Sequence, residues 1–107
     1  MTAAAQHESL VKLLGQIGAE ITYLPRHEGA GLDSVYTHDP VIVCNKGAIL
    51  CNMGKAARRG EPQAAGEFLQ QIGVPVLGRI TGQGTLEGGD VVWVDARTVA
   101  VGEGYRS

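Results

Sequence analysis

The segment Leu86-Glu87-Gly88-Gly89-Asp90 places two carboxylates and two glycines directly before an apolar run that predicts a buried strand. Glycine allows a tight turn, so an acid beside it would be held at the mouth of that strand. Carboxylates at such a mouth could bind a planar guanidinium in a bidentate pair, or a hard divalent cation. Asp33 and Asp39 also lie in predicted loops or at strand starts. The alternative is that these acids only accept backbone N–H groups in turns.

Basic residues follow each predicted hairpin, with Arg58 and Arg59 after the first and Arg106 after the second. An arginine there could bind a substrate carboxylate or could simply keep a loop solvated. The two cysteines, Cys44 and Cys51, lie in apolar strand segments, which predicts small core residues rather than nucleophiles. No EF-hand spacing, His-x-x-x-His pair or phosphate-binding glycine loop occurs. The sequence therefore predicts neither a metal ion nor a cofactor.

Length and composition indicate one small domain, residues 1–107, of α/β class. A net charge of −2 provides no basic surface for nucleic acid. No apolar run approaches the roughly 20 residues that span a membrane, and no secretory signal is recognisable. Two cysteines do not form the framework of a disulfide-rich secreted domain, so we expect a cytoplasmic protein.

The pattern of apolar residues predicts two helices, two single strands and two hairpins. Glycines stop both helices, and Asn45-Lys46-Gly47 is a typical hairpin turn. Residues 1–5 are expected to be frayed, and residues 78–89 are expected to form a loop. In chain order the predicted elements are a helix over 6–17, a strand over 19–24, a hairpin over 41–44 and 48–51, a helix over 60–72, a strand over 75–77, and a hairpin over 91–94 and 98–101.

These elements recur with a period near 50 residues. The segment Leu14–Gly18 resembles Leu69–Gly73, and Asp39 and Asp90 each precede a hairpin. Two repeat units, about 6–53 and 60–102, predict part of a propeller or solenoid. Two units would not close a ring and would leave strand edges uncovered. We therefore expect a homo-oligomer or a missing C-terminal half; the alternative is a plain α/β domain whose halves are alike by chance.

Several segments together resemble the guanidino-group-modifying superfamily, most closely the dimethylarginine dimethylaminohydrolase family, with arginine deiminases and amidinotransferases as relatives. The most specific segment is Leu86–Val91. The others are Tyr36–Pro40, Gly47–Leu50, Met53–Lys55, Arg58–Glu61, Val101-Gly102 and Tyr105–Ser107. The resemblance implies a pentein fold, a five-bladed α/β propeller with its active site in the central channel. It also implies attack of a cysteine thiolate on the guanidinium carbon, with a histidine as acid and base.

The resemblance assigns roles to five residues. Glu87 matches the acid that binds and orients the guanidinium, and Asp39 matches a second acid in contact with the guanidinium or the substrate. Asp33 matches an acid that contacts the substrate amino group. Arg58 and Arg106 match arginines that bind the substrate carboxylate. The expected ligand is thus an arginine-like guanidino compound.

His38 departs from the family pattern, because relatives often carry Arg or Glu there. The catalytic cysteine and histidine of the family belong to later blades. No histidine or cysteine of this chain matches them. We therefore expect a truncated dimethylargininase- or amidinotransferase-like domain that is inactive alone. The alternative is a non-catalytic module that binds a guanidino ligand or associates with itself.

Overall fold

Two helices and five strands form a mixed α/β structure in the computed structural model, which describes all 107 residues. The two predicted helices and the two predicted hairpins are confirmed. Neither helix has the length and apolar character needed to cross a lipid bilayer. In chain order the elements are α1 (Ala3–Gln16), β1 (Val41–Cys44), β2 (Gly47–Leu50), α2 (Glu61–Gln71), β3 (Val76–Arg79), β4 (Val91–Asp95) and β5 (Thr98–Val101).

A three-stranded sheet in the order β1-β2-β3 forms the centre of the fold. β1 and β2 are antiparallel, whereas β3 runs parallel to β2 after the chain has crossed over through α2. Small residues on α2 let it approach the sheet, since a Cβ at Gly66 would lie 2.8 Å from a methyl carbon of Leu50. Ala65 is buried on the same helix. The remaining core side chains are Ala48, Leu50, Cys51, Met53 and Val91.

The second hairpin, β4-β5, is a separate two-stranded sheet that attaches to the first through a few specific contacts. The Trp93 indole N–H donates to the Val43 carbonyl at 3.1 Å. Val91, at the start of β4, is buried, whereas the rest of the hairpin is exposed. The hairpin is therefore fixed mainly at its first residue and at the turn that precedes it.

Helix α1 begins earlier than predicted. The Thr2 hydroxyl accepts from the Ala5 amide at 3.2 Å, so residues 3–5 are helical rather than frayed. Gly18, with φ 95°, follows the helix as expected for a left-handed closing residue. However, no residue of α1 is buried, and four side chains of its apolar stripe are exposed: Leu10, Leu13, Leu14 and Ile17.

The strand predicted over residues 19–24 is wrong, because this segment has no regular secondary structure and belongs to no sheet. A strand is defined by hydrogen bonds to a neighbouring strand, and no strand pairs with these residues. The corresponding strand of the second half, β3, has β2 as its partner. β3 also continues to Arg79, so the loop predicted from Gly78 begins two residues later.

The central sheet joins β1 and β2 of the first predicted repeat unit to β3 of the second, and α2 of the second unit packs on it. The packed unit therefore has the order β-β-α-β and extends across the boundary between the repeats. The division into units of about 6–53 and 60–102 remains a prediction.

Candidate functional site

Glu87 is held by a short turn that packs on two segments, one after β2 and one before β1. The Leu86 amide donates to the Asn52 carbonyl at 2.9 Å, and the Gly88 amide donates to the Asp39 carbonyl at 2.6 Å. A Cβ at Gly88 would lie only 2.1 Å from the His38 carbonyl oxygen, so this approach requires glycine. The turn thus brings the two acids predicted to bind a guanidinium, Glu87 and Asp39, onto neighbouring backbone.

The Glu87 carboxylate is buried, with 5% of its side chain exposed, and its two oxygens differ. Oε2 lies 3.1 Å from Nε of Arg106. Oε1 is buried and has no hydrogen-bond partner. Leaving a buried acceptor unsatisfied costs on the order of 1–3 kcal/mol, and more for a charged group. Oε1 is therefore a buried acceptor that a hydrogen-bond donor from a ligand would stabilise.

The last four residues, Gly104 to Ser107, lie against this turn. The Ser107 hydroxyl accepts from the Glu87 amide at 3.2 Å and donates to Oδ2 of Asp90. The Arg106 backbone packs so closely on Gly54 that a Cβ there would lie 2.7 Å from the Arg106 Cα. Asp90, the predicted repeat counterpart of Asp39, thus accepts a hydrogen bond from Ser107 and holds this segment in place.

Arg58 is the centre of a buried ionic network, with only 3% of the residue exposed. Its Nε and Nη2 donate to the two oxygens of Glu61 at 2.9 and 2.7 Å, and its Nη1 donates to Asp39 at 2.7 Å. Nη2 also approaches the carbonyls of Asp33 and Tyr36. The hydrogen bonds that Arg58 donates to Glu61, and then the one that it donates to Asp39, raise the pKa of the Arg58 guanidinium.

Glu61 was not predicted as part of this site. The signal was present in the sequence, because Glu61 follows Arg58 by three residues at the start of α2. The helix N-terminus also favours a carboxylate. A pair at that spacing can equally point into solvent, so the sequence alone did not indicate that it would be buried.

Asp33 lies in a short turn at Leu32–Val35 and pairs with Lys55, whose ammonium lies 2.5 Å from Oδ2. The hydrogen bond and charge of Lys55 hold the pKa of the Asp33 carboxyl below its usual value. Lys55 was likewise missed as a partner. Three acids are predicted to contact a ligand: Asp33, Asp39 and Glu87. Each of them therefore forms an ion pair with a basic side chain of this protein.

The cysteines are not arranged as nucleophiles. Cys51 is buried next to the Glu87 turn, and burial together with the negative charge of Asp39 raises the pKa of its thiol to about 11. Cys44 is partly buried at the end of β1, and both thiols are free. No group of three or more His, Cys, Asp or Glu side chains is placed to hold a metal ion.

A cavity of about 640 Å³ lies between the loop before β1 and helix α2. Glu61 reaches its wall, but neither Glu87, Asp39 nor Arg106 lines it. Both oxygens of Glu61 are already bonded to Arg58. The acids predicted to act together thus meet at the Glu87 turn and not in this cavity.

Comparison with known proteins finds a match over residues 1–107 to the family model described as N,N dimethylarginine dimethylhydrolase, eukaryotic. The N(G),N(G)-dimethylarginine dimethylaminohydrolase of Pseudomonas aeruginosa is 35% identical over 92 residues, which cover 86% of this chain and 36% of that protein. The chain thus spans little more than a third of that relative's length.

Solved structures agree with the sequence match. A cysteine-to-serine mutant of the Pseudomonas aeruginosa enzyme complexed with citrulline is 34% identical, with a TM-score of 0.85, over 96% of this chain and 40% of that chain. A histidine-to-glycine variant of a dimethylarginine dimethylaminohydrolase, as an adduct with S-methyl-L-thiocitrulline, has a TM-score of 0.86 over 98% of this chain and 41% of that chain at 34% identity. A cyanobacterial arginine dihydrolase, 23% identical with a TM-score of 0.75 over 94% of this chain and 16% of that chain, shares the fold.

Proposed function

Because this chain belongs to the dimethylarginine dimethylaminohydrolase family, we propose that its 107 residues form the guanidinium-binding part of an amidine hydrolase site. The proposed substrate class is an arginine-like compound, and the bond to be cleaved is a C–N bond of its guanidino group. We favour hydrolysis over amidino transfer, because the relatives that match at 34–35% identity are named as hydrolases. We also propose that the two hairpins and their helices are part of the propeller expected for a pentein.

The observation that carries this proposal is the Glu87 carboxylate. It is buried beside a glycine turn, and one of its oxygens has no hydrogen-bond donor. A guanidinium is planar and presents paired N–H groups that match the two oxygens of a carboxylate. A ligand guanidinium would therefore satisfy Oε1 and hold the carbon atom in a fixed orientation.

The other four residues would act around Glu87. We propose that Asp39 faces the same guanidinium and that Asp33 meets the ligand amino group, as the resemblance implies. It assigns Arg58 and Arg106 to the ligand carboxylate. The burial of Arg58 and its bonds to Glu61 and Asp39 favour a positioning role, in which Arg58 fixes Asp39.

We propose that the 107-residue chain alone does not turn over its ligand. The hydrolysis implied by the resemblance needs a thiolate, and the raised pKa of Cys51 keeps that thiol protonated at neutral pH. The check is to incubate the chain with dimethyl-L-arginine or L-arginine and to measure citrulline. Citrulline formation above the protein-free blank would contradict this part of the proposal. A cytoplasmic location remains a prediction from composition.

Binding is tested by calorimetric titration of the 107-residue chain with L-arginine and NG,NG-dimethyl-L-arginine. Glu87→Gln keeps the shape of the side chain and removes its charge, and we expect it to weaken binding by roughly tenfold or more. Glu20→Gln removes the same charge from the exposed segment after α1 and serves as the matched control. Equal affinity in the two variants would refute the assignment of Glu87.

A second candidate function is self-association. The exposed apolar side chains of α1 and the exposed hairpin β4-β5 support it. For the isolated chain we propose that a second copy covers the stripe of α1. Sedimentation at two concentrations tests this idea, and Leu13→Glu on the stripe should shift the equilibrium to monomer, whereas Lys12→Glu on the same helix should not. A monomer at the higher concentration would refute it.

A further inference from the structure

Arg106 supplies a guanidinium of the chain itself to the carboxylate proposed to bind the guanidinium of a ligand. Its Nε lies 3.1 Å from Oε2 of Glu87. The site thus already contains one copy of the group it would recognise. A ligand that pairs with Glu87 through both oxygens must first displace Arg106.

We propose that Arg106 competes with the ligand guanidinium for Glu87 and thereby selects ligands that also carry a carboxylate. This inference rests on the proposed function. A ligand carboxylate gives the displaced Arg106 a new partner, so the ion pair is exchanged rather than lost. A guanidinium without a carboxylate breaks the same pair and leaves Arg106 without an anionic partner.

The two sides of the pair differ in a way that makes exchange feasible. Glu87 is 5% exposed and has an unsatisfied oxygen, whereas 43% of the Arg106 side chain is exposed to water. Water screens the partly exposed partner, so the pair contributes little net stability. A bidentate guanidinium would satisfy both oxygens of Glu87, which Arg106, with its single close contact, does not.

The surrounding contacts fix the Arg106 backbone and leave its guanidinium free to move. Ser107 bonds to the Glu87 amide and to Asp90, and the Arg106 Cα packs on Gly54. The Arg106 guanidinium also lies 5.5 Å from the centre of the Tyr105 ring. That exposed ring gives a displaced guanidinium a neighbouring surface through a cation–π contact. The exchange therefore requires side-chain rotation only.

The test uses two probes with the same guanidinium and the same carbon chain: L-arginine, and agmatine, which lacks the carboxylate. Both are titrated into the 107-residue chain and into Arg106→Gln. Competition predicts that Arg106→Gln binds agmatine about fivefold more tightly, the gain expected from releasing a weak ion pair. L-arginine should bind more weakly, because its carboxylate has lost Arg106. Arg97→Gln, in the exposed β4-β5 turn, removes the same charge as a control.

A fixed carboxylate contact without competition predicts a different pattern. In that case Arg106→Gln would weaken L-arginine and leave agmatine unchanged, and this result would overturn the proposal. If neither probe binds the unsubstituted chain or Arg106→Gln, the proposed function itself fails.

A second measurement tests directly whether a guanidinium displaces Arg106 from Glu87. The Arg106 Nε–H resonance is followed by nuclear magnetic resonance while guanidinium chloride is added, with sodium chloride at equal ionic strength as the control. Displacement predicts a saturable shift toward the position found in Glu87→Gln, for guanidinium only. An identical response to both salts would refute competition at Glu87.

Discussion

Replacing Arg58 by alanine is predicted to be among the most destabilising single changes in this protein. The substitution removes three charge-assisted hydrogen bonds, two to Glu61 and one to Asp39, at 2.7–2.9 Å. It also leaves the buried Glu61 carboxylate without its cation. Removing one partner of a buried ion pair costs about 3–5 kcal/mol. A domain of this size has roughly 5–15 kcal/mol of stability in total, so the loss is a large fraction.

The assay is urea unfolding followed by circular dichroism and by the fluorescence of the single tryptophan, Trp93. The matched control is Arg59→Ala, because Arg59 is exposed and makes one long contact, 3.5 Å from its Nε to the Met53 carbonyl. We expect the control to change the free energy of unfolding by less than about 0.5 kcal/mol. Because Arg58→Ala itself could unfold the chain, Arg58→Lys provides an intermediate step. It keeps the charge but cannot reach both oxygens of Glu61 and Asp39 together, and should cost about 2 kcal/mol.

The double variant Arg58→Ala with Glu61→Ala separates a true coupling from loss of packing. If the network acts as a unit, the double variant should be more stable than the sum of the two single effects predicts, because neither charge is then left buried alone. Additive effects, or an Arg58→Ala cost no larger than that of Arg59→Ala, would refute the buried network.

Two further predictions concern backbone packing and thiol chemistry. Gly60→Ala should destabilise the chain by about 1–3 kcal/mol, because its Cβ would lie 2.1 Å from the Gly29 carbonyl oxygen. Gly15→Ala, which lies in open space on α1, should instead stabilise the chain by about 0.5–1 kcal/mol. Thermal unfolding of both variants checks these opposite signs, and a stabilising Gly60→Ala would contradict the close contact. Cys51, with its thiol pKa raised to about 11, should react with a disulfide reagent at pH 8 far more slowly than Cys44, as single-cysteine variants would show, and comparable rates would contradict its burial. The pKa of Cys51 is higher in the folded chain than the unfolded value of 9.0, so its contribution to the free energy of unfolding is complete below about pH 9 and is lost as the pH rises toward 11. In urea unfolding at alkaline pH, a Cys51→Ala variant should lack this loss of stability.

Local pattern was enough to find most elements of the fold. The stripe from Ala65 to Ile72 predicted helix α2, and the turn before Gly47 predicted the first hairpin, because these structures depend on residues close in the chain. The strand over residues 19–24 failed for the opposite reason. Its alternation is typical of a strand, but a strand forms only where another strand supplies hydrogen bonds, which depends on residues far away.

The same division applies to the candidate site. The types and spacing of Glu87, Gly88 and Asp39 were enough to indicate an acid held on a glycine turn for a cationic ligand. Only the tertiary structure paired each acid with a cation of the chain: Lys55 with Asp33, Arg58 with Asp39, and Arg106 with Glu87. Charges separated by 19 to 22 residues meet only after the chain has folded, and burial then determines which pairs are strong and which can exchange. Sequence thus determined which groups can do chemistry, and the fold decided which of them are already occupied.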